Sequence, residues 1–187
     1  MVPDFALRIQ AMIRSLREVI LPALPAGQML AIDQTNILIG YLRIMALQHD
    51  KVFDYLLAEL AEYAELVEAM VDDSGDGQDD VVRAARTAVA QAKPILKMSI
   101  PHQSELVDRV RALKTSADDL LCAARQSGPA GRSQALANRV MEQAGKQILR
   151  ERAWFRASGF ELDADKLPSI DDVLNRGGEP ARRGPKP

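Results

Sequence analysis

From Phe5 to about Ala157 the apolar residues recur at steps of three and four, and nowhere does the chain alternate apolar and polar residues as a half-buried strand would. At 3.6 residues per turn, that spacing turns one side of every segment toward a core and restricts the chain to helices. Composition agrees: 27 alanines against 4% aromatic residues suit helices packed closely through small side chains better than a sheet. With 187 residues, 47% of them hydrophobic and 27% charged, the chain can fill the core of one domain plus an arm. Whole-chain disorder and a fibrous repeat are excluded. The fold expected is all-α, a single helical bundle of five or six helices over residues 3–160 with a C-terminal arm at 161–187.

Proline and glycine set the expected boundaries. A first amphipathic helix runs from residue 4 to about 24 through Phe5, Ile9, Met12, Ile13, Leu16, Val19 and Ile20, and Pro22 and Pro25 end it. The second, Met29 to about Leu47, leaves little polar surface, and a helix apolar on most sides must be surrounded, which predicts that it lies at the centre of the bundle. The third spans Lys51 to about Val71, and the stretch 72–80, acidic and with two glycines, reads as a loop. A fourth covers Val81 to about Met98, kinked or stopped at Pro94, a fifth follows Pro101 to about Gln126, and a sixth runs from Ser133 to about Ala157. The sixth should turn Leu136, Val140, Met141, Ala144, Ile148 and Leu149 inward. In the arm, Leu162, Leu167, Ile170, Val173 and Leu174 fit a short docking helix capped by Ser169, and Arg176 to Pro187 reads as disordered.

Charge is unevenly placed although the net is only −2. Residues 1–80 hold 5 Lys+Arg against 14 Asp+Glu, and the remainder 19 against 12. Glu59, Glu62, Glu65 and Glu68 line the third helix at steps of three, where like charges repel by roughly 0.2–0.5 kcal/mol a pair. Arg139, Lys146, Arg150, Arg152 and Arg156 on the sixth helix and Arg109, Arg111 and Lys114 on the fifth offer the compensation, within the chain or across a dimer.

Several patterns carry chemistry if placed correctly. Asp33, Gln34, Thr35 and Asn36 open the helix expected at the centre, where an unpaired polar group costs on the order of 1–3 kcal/mol. Asp33 and Asn36, with Arg43, form either a network fixing helix register or a polar ligand pocket within the bundle. Glu59-x-x-Glu62 followed by Glu105-x-x-Asp108 resembles the paired signature of the all-α nucleotide pyrophosphohydrolases, in which carboxylates on two helices hold magnesium against phosphates. A whole additional helix, 81–98, separates the pairs here. Asp72, Ser74, Asp76, Gly77 and Asp80 follow a calcium-loop spacing, but Arg83 stands where a bidentate glutamate belongs. Asp72-Asp73-x-x-Asp76 also spells the magnesium motif of isoprenoid synthases, without the aromatic residues for a prenyl cavity. Neither His49 nor His102 completes a Glu-x-x-His pair, and Cys122 beside Leu120 and Leu121 reads as a packed, inert thiol.

The run Val19-Ile-Leu-Pro-Ala-Leu-Pro-Ala-Gly-Gln-Met-Leu-Ala-Ile-Asp-Gln34 resembles the opening of small uncharacterised all-α bacterial proteins associated with genes for acyl-CoA dehydrogenases and small-molecule phosphotransferases. The likeness covers about the first 70 residues. It implies an accessory protein of a metabolic pathway and carries over no functional residue.

These readings converge on a cytoplasmic, non-enzymatic interaction or accessory protein that self-associates as a homo-oligomer or binds a protein partner, without a cofactor. The alternative is a magnesium-dependent, pyrophosphohydrolase-like or ligand-binding bundle. One cysteine makes no internal disulfide, the first residues carry no basic stretch before an apolar core, and Asp33 and Arg43 interrupt the greasiest segment, so export and membrane insertion are not expected. An acidic isoelectric point near 5.8 and the few charges around Arg182, Arg183 and Lys186 argue against nucleic acid.

Overall fold

The computed structural model describes residues 4–75, 79–127, 130–158, 161 and 163–175, and every regular element among them is helical. Seven helices of six residues or more are present, against the five or six expected: α1 Phe5–Ser15, α2 Met29–Gln48, α3 Val52–Ser74, α4 Asp80–Ile95, α5 Gln103–Ser127, α6 Ala130–Phe155 and α7 Ile170–Asn175. Asp76, Gly77, Leu162 and the basic tail lie outside the described residues.

Local chemistry accounts for the ends. The Asp4 carboxylate accepts the Leu7 amide at 3.0 Å and caps α1. Beyond Ser15 the turns widen to π-type over Leu16–Ile20, and one α-turn, Leu21–Ala23, closes the segment. Pro22 lacks the donor that the Glu18 carbonyl would take, and its ring crowds that carbonyl, so the preceding turn opens. α3 continues through Asp72 and Asp73, which were expected in a loop, until Gly75 takes a left-handed φ of 75° and bonds back to the Asp72 carbonyl at 3.2 Å. α4 closes one residue after Pro94. The Ser169 hydroxyl accepts the Asp172 amide at 3.1 Å while the Asp172 carboxylate accepts the Ser169 amide at 3.3 Å, a reciprocal cap that starts α7 where the sequence placed it.

The chain divides into two compact units, one comprising residues 1–52 and 152–167, the other 53–151 and 168–187. In the first, α1 packs on α2 through Ile9, Ile13, Ile39 and Leu42, with Leu16 and Ala46 against them. The Phe5 ring meets the His49 ring at 5.3 Å, and the Gln48 amide donates to the Trp154 carbonyl at 2.6 Å. The second unit holds the larger core, assembled from α3, α4, α5 and Leu136 of α6, with Leu60, Leu106, Leu113 and Leu136 fully buried.

Three expectations are corrected. α2 is not enclosed: Leu30 is 75% exposed and Tyr41 59%, and only Ile39, Leu42 and Ile44 are buried. α6 turns only part of its expected stripe inward: Leu136 is buried and Val140 packs against the core, but Met141, Ile148 and Leu149 are exposed while Gln143 and Arg150 are buried. Cys122 faces solvent.

Candidate functional site

In the first unit, Thr35, Ile39, Leu42 and Ala46 follow one another at steps of three and four and form the side of α2 turned to α1. On an adjacent side, about 120° round the helix, Leu30, Ile37, Leu38, Tyr41 and Met45 fall within about 100° of arc, shared with Gln34 and, at its end, Gln48, and all five are exposed. This face holds no charge. The only two charged residues of α2, Asp33 and Arg43, lie off it and are themselves exposed, as are Gln34 and Asn36. The desolvation penalty expected for these polar residues therefore does not arise. Thr35 is half-buried and donates its hydroxyl to the Ala31 carbonyl at 2.7 Å.

Of Asp33, Asn36 and Arg43, Asn36 lines a cavity. It borders an open groove of about 240 Å³ with Ile37, Gly40, Tyr41, Ile44 and Ser158, which shares Ile37 and Tyr41 with the apolar face. A Cβ added at Gly40 would meet nothing within 4 Å, so the groove is open at its middle.

In the second unit a polar spine joins α3 to α5 and α6. The half-buried Glu62 carboxylate accepts the Gln143 amide at 2.7 Å and a short bond from the Arg150 guanidinium. Arg150 is 1% exposed, its Nη1 has no partner within the described residues, and its guanidinium lies 5.4 Å from the centre of the Tyr55 ring. Glu59 is buried and paired with Lys114 at 2.7 Å; that ammonium sits 5.0 Å from the Tyr63 ring, whose hydroxyl donates to Gln147 at 2.6 Å. Burial, with the neighbouring Glu59 adding to it, pushes the Tyr55 phenol up to about 12, and burial also raises that of Tyr63. Glu68 pairs with Lys93 and Asp73 with Arg139, both at 2.5 Å.

Glu59, Glu62, Glu105 and Asp108 are not gathered around a common point. Lys114 holds the first and Arg150 the second, while Asp108 faces Arg111 of its own helix at 3.1 Å. Among the described residues no group of three or more His, Cys, Asp or Glu is disposed to hold a metal ion. No helix among them is long and apolar enough to cross a membrane.

Sequence reasoning, which turns Tyr63 inward, missed Gln143, Gln147 and Tyr55 of the spine. A signal existed: Leu136, Gln143 and Arg150 are spaced by seven, so two polar residues continue the line of a buried leucine. The chain matches no protein-family model, and comparison with curated proteins and with solved structures gives no match.

Proposed function

We propose that this chain is a cytoplasmic helical interaction or accessory protein that works by self-association or by binding a protein partner, through a docking surface on α2. The observation that carries the reading is the uncharged apolar face of Leu30, Ile37, Leu38, Tyr41 and Met45 standing in solvent. Contiguous apolar surface of this kind on a water-facing helix marks a place where another surface binds. The carboxylates that would serve a magnesium enzyme support the same reading, because Glu59 and Glu62 are engaged by Lys114 and Arg150. The single, exposed thiol of Cys122 suits a reducing compartment.

Photo-crosslinking in living cells tests it. A benzophenone amino acid at position 38 should give protein adducts well above those of the same probe at exposed Arg111. Equal yields at the two positions would overturn the docking role of α2.

A further inference from the structure

Resting on that docking reading, we propose that the occupant of the α2 face is a second copy of this chain, the two α1–α2 hairpins joining face to face about a two-fold axis as a four-helix bundle. The hairpin has the form of half such a bundle. Its own core is four buried side chains, Ile9, Ile13, Ile39 and Leu42, all on the seam between α1 and α2. A helix in the middle of a bundle is covered on two sides, and α2 carries apolar residues on two sides with one of them exposed.

The area is what a dimer requires. If a large side chain offers roughly 200 Å² when fully accessible, the exposed fractions of Leu30, Ile37, Leu38, Tyr41 and Met45 leave on the order of 500 Å² of apolar surface on each chain. Two copies then bury on the order of 1,000 Å² from these residues alone, the size at which a specific interface becomes credible, whereas a patch of about 300–600 Å² is already the largest an ordinary monomer shows. Chemistry selects the copy over other partners. The face offers no charge to pair with an acidic or basic ligand, and an uncharged apolar surface is complementary to itself across a two-fold axis. Its length suits a helix-to-helix seam, since the helix from Leu30 to Met45 extends about 22 Å.

The test uses the full chain. Light scattering should give twice the mass of one chain, and Leu38→Glu should weaken association by at least about 100-fold, because it sets two carboxylates against each other in an apolar seam. Ile148→Glu, on the exposed stripe of α6, should leave the dimer intact. Leu38 lies at the middle of α2, so Leu38→Cys in a Cys122→Ser background should form an intermolecular disulfide whichever way the helices run, a readout that does not depend on the glutamate variant folding. A monomer at all concentrations, or a dimer broken by Ile148→Glu and untouched by Leu38→Glu, overturns the proposal. If position 38 still crosslinks to other proteins in cells while the purified chain is monomeric, the docking reading survives and the second copy does not. Failure of both assays removes the docking reading as well.

Discussion

Breaking the Glu62–Arg150 pair from its two ends should give unequal losses, because the two side chains are unequally buried: the side chain of Arg150 is 2% exposed and that of Glu62 23%. Glu62→Leu strands a guanidinium that already has one nitrogen without a partner among the described residues, and an uncompensated buried charge costs about 3–5 kcal/mol. The Tyr55 ring and residual access of water at the vacated position reduce this to about 2–4 kcal/mol. Arg150→Met keeps the apolar stem packed, and the carboxylate left behind retains the Gln143 amide and a path to solvent, so about 0–1.5 kcal/mol is expected. The double variant should recover most of the Glu62→Leu loss. Because the single tryptophan, Trp154, belongs to the other unit, native-state hydrogen exchange over Leu60–Val71 is the appropriate assay. Glu62→Leu should speed exchange there by roughly 30- to 900-fold and Arg150→Met by no more than about 13-fold. Equal acceleration by the two variants, or a double variant worse than Glu62→Leu, would refute the assignment of the cost to a stranded buried cation.

Two further outcomes follow from the same geometry. Tyr55 holds its proton more tightly in the folded chain than in the unfolded one, so its contribution is fully present below pH 10.0 and is lost as the pH rises toward 12, with Tyr63 acting in the same direction. A melting-temperature series across that window should fall less steeply for Tyr55→Phe, and an unchanged slope would contradict the burial of the phenol. Gly145→Ala should stabilise by about 0.5–1 kcal/mol, since the residue is exposed within α6 and its added Cβ meets nothing within 4 Å; the urea midpoint should rise.

Much of the architecture is legible in the residues because its causes are local. The 3.6 period fixes the helices, Pro22 and Pro94 act on the turns around them, and Ser169 with Asp172 builds a cap from side chains three apart. The charge split is legible for a different reason: an acidic helix in a nearly neutral chain calls for cations from elsewhere in the chain or from a second copy, and Lys114, Lys93, Arg139 and Arg150 of the same chain supply them. What those pairs do to α6 is not visible from apolar periodicity. Satisfying Glu62 brings Gln143 and Arg150 into the buried stripe, and Met141 and Ile148, more hydrophobic than either, face outward as a result.

The same distinction explains α2. Periodicity reports how much of a helix is apolar and says nothing about which molecule covers it. A helix apolar nearly all round is enclosed either by its own chain or by another, and in both cases the sequence reads alike. Here α1 covers the side of Ile39 and Leu42, and the side of Leu38 and Tyr41 stays open. The four polar residues at its start fit that outcome better than a central position. With Asp33, Gln34 and Asn36 in water, α2 carries polar groups at no desolvation cost at its exposed beginning, and between Asn36 and Arg43 it presents an uninterrupted apolar run. A helix built to lie inside its own bundle gains nothing from three hydrated polar residues in its opening turns.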